Sequence, residues 1–126
     1  IEGCPNIAQI ANRNFKNLDA KNITSIVGNI DTVLPKTLSQ IDSLDMVFFD
    51  ANHTKEATLN YFNQCLEKAN NNTVFIFDDI YWSEGMTEAW QEIYNNPEVT
   101  YSIDLFHLGI VFFNKEWIKS HFKIKF

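Results

Sequence analysis

Apolar residues recur along this chain in two alternating rhythms, a three-to-four-residue spacing and short unbroken runs. Behind Pro5, which suits the first turn of a helix, Ile7, Ile10, Ala11 and Phe15 follow at helical spacing. Residues 23–28 form a short β-branched run closed by glycine and predict a strand. A helix is expected after Asp31, with Val33, Leu34, Leu38 and Ile41 on its apolar side and Pro35 tolerated near its first turn. The run Asp-Met-Val-Phe-Phe-Asp at 45–50 lacks alternation, the pattern of a strand covered on both faces. Thr54 can cap a helix striped by Leu59, Phe62, Leu66 and Ala69, and 73–78 predicts a second fully covered strand. Ser83 can cap a helix with Met86, Ala89, Trp90 and Ile93 inward, ended by Asn96-Pro97. Val99, Tyr101, Ile103 and Leu105 then alternate, and 108–113 is another apolar strand. A short helical stretch near Trp117 leads into the alternating Phe122, Ile124 and Phe126.

Helix and strand alternating in this way predict an α/β fold with a mainly parallel sheet, finished by a hairpin-like antiparallel element. In such sheets ligands bind beyond the carboxyl ends of the strands. That singles out Glu2, Gly28-Asn29, Asp50 to His53 and Asp78 to Trp82.

Composition narrows the setting. A length of 126 residues fits one domain over 1–126, and 45% hydrophobic with 21% charged residues makes disorder an unsuitable reading. The net charge of −6 argues against a nucleic-acid backbone or an anionic membrane as partner. Apolar runs stop far short of the roughly 20 residues that cross a bilayer. Cys4 and Cys65 make neither a disulfide framework nor a zinc site, as expected of a cytoplasmic, reducing setting.

The strand ends carry the candidate chemistry. If the strands ending at Asp50 and Asp78 are neighbours, Asp50, Asp78 and Asp79 share a small volume, where like charges repel unless a cation compensates them. Oxygen ligands of this kind suit Mg²⁺ or Ca²⁺. The plainer alternative is that Asp50 and Asp79 cap the helices that follow.

In this order and spacing the motifs resemble the C-terminal part of class I S-adenosylmethionine-dependent methyltransferases, in the bacterial branch related to catechol-type O-methyltransferases. The likeness runs from Ile1-Glu2 through Val27-Gly-Asn-Ile-Asp31, Leu44 to Asp50 and Phe75 to Asp79, and on to Phe106 to Phe113. It implies a Rossmann-like three-layer sandwich. It also implies that Glu2 binds the ribose of S-adenosylmethionine, that Gly28 and Asn29 flank its adenine, and that Asp50 lies near the reacting methyl. In metal-dependent members Asp50, Asp78 and Asp79 would hold Mg²⁺ or another divalent cation, although Asp79 stands where that branch usually has Asn. His53 occupies the position of the branch's general-base lysine. Imidazole, with an ordinary pKa of about 6.5, is suited to accept a hydroxyl proton. Lys55 is a nearby substitute, and Tyr81 and Trp82 either wall the acceptor or anchor the next helix.

The four glycines contain no GxGxG, so the first strand and glycine-rich loop of that family have no counterpart here. The chain therefore reads as part of a longer enzyme, with little cofactor binding of its own and with homodimerisation as one way to cover an open sheet edge. A non-catalytic binding or assembly module that keeps the sheet is the alternative. A phosphoacceptor receiver domain also uses three aspartates, but there the acidic pair precedes the lone Asp.

Overall fold

A computed structural model describes residues 1–125. The chain divides into two compact units, Ile1–Ile41 and Asp42–Phe126.

The first unit contains α1 (Pro5–Asn17) and α2 (Ile30–Leu38). Pro5 opens α1 as expected, but the inner side differs. Ala8 is buried and Ala11 and Phe15 are half-buried, whereas Ile7 and Ile10 are exposed. The strand expected over 23–28 is reduced to one parallel bridge, Glu2 to Val27. It is held by Glu2 N–H donating to Ile26 O and Gly28 N–H donating to Glu2 O. In α2, Asn29 is the N-cap and Leu34 and Leu38 are buried. Pro35 is the sixth residue of the helix, in its second turn rather than its first.

The second unit is a sheet with two helices on one face. Its elements are β1 (Met46–Phe49), α3 (Lys55–Leu66), β2 (Val74–Asp78), α4 (Glu84–Asn95), β3 (Tyr101–Asp104), β4 (Leu108–Phe112) and β5 (Ser120–Lys123). The strand order is β1-β2-β4-β3-β5. β1 and β2 are parallel, β4 is antiparallel to both β2 and β3, and β5 is parallel to β3. Four strands thus share one direction and β4 alone is reversed, as a mainly parallel sheet with an antiparallel finish requires. The region near Trp117 forms turns instead of a helix, and Trp117 is exposed. Phe126 lies outside the described residues. No helix among the described residues is long and apolar enough to cross a membrane.

Aromatic packing seats α3 and α4 on the same face. Phe62 of α3 meets Phe75 and Phe77 at centroid distances of 6.2 and 6.1 Å, and Trp90 of α4 meets Phe77 at 6.2 Å. Met86, Ala89, Trp90 and Ile93 are all buried, as the spacing predicts. On α3 the buried stripe is Thr58, Tyr61, Phe62 and Cys65, one step round from the expected Leu59–Leu66 line. Burial pushes the Cys65 thiol up to about 11, so it is an inert core group. β1 and β2 alternate rather than being covered on both faces: Met46 and Phe48 are 63% and 52% exposed.

Gly109 is where α4 comes closest to the sheet. A Cβ there would stand 2.6 Å from the Trp90 ring, inside contact distance. Gly109→Ala is therefore expected to destabilise the fold by about 1–3 kcal/mol, the range for overpacking a tight core. Urea unfolding checks this, and an unchanged midpoint would show that Trp90 can give way.

Candidate active site

Because β1 and β2 are parallel neighbours joined by α3, their carboxyl ends and the loops that follow lie side by side. Thr54 caps α3 by accepting from Ala57 N–H, and Ser83 caps α4 by accepting from Met86 N–H. Thr54 and Ser83 thus cap as their positions predict, and the alternative in which Asp50 and Asp79 cap these helices is not the arrangement found. Both loops bend through left-handed residues, Asn52 at φ 50° and Asp79 at φ 52°. Asn and Asp tolerate this region better than most residues. The Asn52 amide also donates to Tyr61 Oη at 2.6 Å, which ties the first loop to the core.

Asp50, His53 and Asp78 each offer a ligand atom within 4.8 Å of the others'. His53 Nε2 lies 3.5 Å from Asp50 Oδ1 and 3.8 Å from Asp79 Oδ2, and that nitrogen is buried without a hydrogen-bond partner among the described residues. The sequence singles out Asp50, Asp78 and Asp79; the structure groups Asp50 and Asp78 with His53, and Asp79 stands beside His53 outside that three-donor group. An orphaned ring nitrogen between carboxylates fits a site for a proton or a divalent cation, since a buried acceptor left unmatched is costly. Mixed nitrogen and oxygen donors widen the choice of cation beyond Mg²⁺ and Ca²⁺ towards Mn²⁺ and similar ions.

The aromatic loop residues part company. Trp82 is 71% exposed with its ring 6.3 Å from that of His53, so it anchors no helix. Tyr81 turns the other way and donates to Asp104 Oδ2 at 2.5 Å. Lys55 points to α4, paired at 2.7 Å with both Glu88 and Glu92. Hydrogen bonds donated to those carboxylates hold its ammonium well above the usual lysine range, so it cannot stand in as a base at neutral pH.

In the first unit, Glu2 is half-buried and its Oε1 accepts from Cys4 N–H at 2.7 Å, leaving the second oxygen for other donors. Gly28 has φ 154°, and a Cβ there would meet Val33 at 2.7 Å, so close packing within the unit already requires glycine. The Asn29 side-chain oxygen is engaged by Asp31 N–H at the helix cap.

A family model described as a methyltransferase domain matches residues 1–80, which run from Glu2 through Asp78 and Asp79. The chain belongs to that family. This methyltransferase-domain chain also shares its fold with solved structures of low identity. One is an SAH-bound methyltransferase of Podospora anserina, at 14% identity and a TM-score of 0.71, covering 89% of this chain and 58% of that one. A candidate O-methyltransferase of Klebsiella pneumoniae gives 18% and 0.71 over 90% of this chain and 60% of that one. The Bacillus cereus O-methyltransferase in complex with SAH gives 18% and 0.68 over 88% and 60%. The chain thus spans about three fifths of the length of these structures. No curated protein matches it by sequence. The class I resemblance read from the strand-end motifs, and the Rossmann-like α/β class it implies, are borne out.

One polar centre was missed. The alternation over 99–105 drew attention to Val99, Tyr101, Ile103 and Leu105, of which Val99 is buried, yet within β3 the buried residues are Ser102 and Asp104. Asp104 is 1% exposed and is bound by Tyr81, by the Phe106 N–H at 2.9 Å and by Lys123 at 3.3 Å. Burial alone would raise its pKa, but these donors outweigh it and hold the carboxyl below its ordinary value. Only the even spacing of Ser102, Asp104 and Phe106 hinted at this second face.

Proposed function

We propose that the chain forms the larger part of an S-adenosylmethionine-dependent methyltransferase domain acting on a hydroxyl oxygen of a small molecule. The observation that carries this is His53 Nε2, buried and unmatched between Asp50 and Asp79 at the strand ends of a methyltransferase-family chain. The SAH held by two of the structural neighbours supports the choice of cofactor. The place of β1 at the end of the strand order, with Met46 and Phe48 exposed on one face, supports the reading that further sequence or a second copy packs against this side of the sheet.

Glu2 would hold the cofactor's ribose through its free carboxylate oxygen, and Gly28 and Asn29 would adjoin the adenine. Asp50, Asp78 and Asp79 would hold a divalent cation. When bound, the cofactor supplies an electrophilic sulfonium methyl and the cation acidifies the acceptor hydroxyl. His53 takes the hydroxyl proton at Nε2, and Asp50 and Asp79 steady the imidazolium that results. The remaining work of the chain is alignment, holding the acceptor oxygen in line with the methyl while Trp82 limits access of water.

A second role for His53 is favoured by its place in the three-donor cluster: its nitrogen would bind the cation alongside Asp50 and Asp78. The non-catalytic alternative predicts no cofactor binding at all.

Calorimetry with SAH tests the reading. A protein carrying this chain together with a glycine-rich first-strand segment is expected to bind SAH, and the 126-residue chain alone only weakly. In the longer protein Glu2→Ala should weaken binding by about 1.5–3 kcal/mol, the scale of hydrogen bonds to a charged group. Absence of SAH binding in the longer protein would overturn the proposal.

A further inference from the structure

The sheet edge that carries the acidic cluster has a second feature, which the proposed reaction leaves unused. A cavity of about 590 Å³ opens beside the β3–β4 turn, lined by Leu105, Phe106, His107, Lys123, Ile124 and Lys125. All six lie beyond residue 80, where the match to the family ends. Leu108, the residue after the turn, is the cross-strand partner of Asp78, so the turn leads into the strand that neighbours the end of β2.

Its chemistry is distinctive in a chain of net charge −6. Among the described residues the lining has two lysines and no carboxylate. Asp104 is already engaged by Tyr81, the Phe106 amide and Lys123. Lys123 spends two donors on Tyr81 Oη, at 2.7 Å, and on Asp104, and an ammonium has three. The apolar part is equally particular. Phe106 stands at φ 70°, a region that bulky residues rarely adopt, with its ring exposed and 5.6 Å from that of Tyr81. Asp104 holds it there through the amide, and a strained, outward-facing aromatic at a strand end is a common mark of a binding site.

We propose that this cavity receives the carboxylate end of an aromatic acceptor. Lys125 and the third N–H of Lys123 meet the anion, Phe106 and Ile124 contact the ring, and the hydroxyl is left towards Asp50, His53 and Asp78. The fate of the hydroxyl rests on the methyl-transfer reading; the preference for an anion stands on the cavity alone.

The test titrates 3-(4-hydroxyphenyl)propanoate and its neutral amide into the full 126-residue chain without cofactor, followed by NMR. The acid is expected to bind about tenfold more tightly than the amide, the effect of one charge-assisted contact. Added salt should weaken only the acid. Lys125→Gln, which leaves the Asp104 pair intact, should erase most of that preference, and Lys125→Arg should keep it. Equal affinity for the two ligands, binding of neither, or a preference that survives Lys125→Gln would each overturn the proposal. Acid-selective binding upholds it even where a longer protein transfers no methyl group, a result that would count against the methyltransferase reading alone. Methyl transfer to neutral and acidic acceptors with equal kcat/KM would overturn the cavity's role and leave that reading standing.

Discussion

On the proposed reading, His53→Ala in an active protein carrying this chain is expected to lower kcat by about 10²–10⁴-fold, the usual contribution of a positioned general base. Affinity for SAH should be unchanged, because Glu2, Gly28 and Asn29 are untouched. Lys55 is no substitute base, since it is committed to Glu88 and Glu92. The cation dependence of the variant separates the two roles open to His53. If it is the base, the variant needs the same cation concentration as the parent and its loss shrinks as pH rises and hydroxide replaces it. If it is a ligand, raised Mn²⁺ or Mg²⁺ restores turnover. A chelator should abolish activity in either case. Full activity in chelator would remove the cation from Asp50, Asp78 and Asp79, and full activity without His53 would remove it from the chemistry.

Asp104→Ala should destabilise the second unit by about 3 kcal/mol, the upper range for a charged group that accepts hydrogen bonds in a buried place. Tyr81 and the Phe106 amide would lose their acceptor together, and the left-handed turn would lose its anchor. The acid limb of the stability curve gives a sharper signature. The Asp104 carboxyl is held below its ordinary value of 3.8, so its contribution is fully present above that pH and lost as pH falls through the lower folded value. Lys123 is shifted upward, first by its bond to Tyr81, so its share is present below the ordinary 10.5 and lost only as pH rises through the raised value. Urea midpoints measured from pH 2 to 7 should therefore fall less on the acid side in the variant than in the parent. Parallel curves would mean that Asp104 is not ionised in the fold.

The helices with a hydroxyl cap and a strict apolar stripe were legible from sequence, and α4 is the clearest case: Ser83, Met86, Ala89, Trp90 and Ile93 sit where their spacing puts them. Strand positions were legible as well, but faces were not. An unbroken apolar run such as 46–49 does not say how many sides are covered, and Met46 and Phe48 proved exposed. In β3 the apolar residues alternate on the less buried face, because the other face is filled by a hydrogen-bonded Ser102 and Asp104. No hydrophobicity rule reads a polar group that is buried by its partners. The same limit applies at the strand ends. Residue type and order pointed to Asp50, His53, Asp78 and Asp79, but only the backbone turns at Asn52 and Asp79 show which atoms meet.

The three tryptophans sit in sharply different surroundings. Trp90 lies against Gly109 with its indole nitrogen buried and without a partner among the described residues, while Trp82 and Trp117 face solvent. An indole in dry, apolar surroundings emits at shorter wavelength than a hydrated one, so one chain carries two optical reporters that need no label. The blue component follows the seating of α4 on the sheet. Part of the red component arises from Trp82, whose ring lies 6.3 Å from that of His53, where protonation of an imidazole or arrival of a paramagnetic ion would quench it. Folding and occupancy of the strand ends can therefore be followed in a single spectrum.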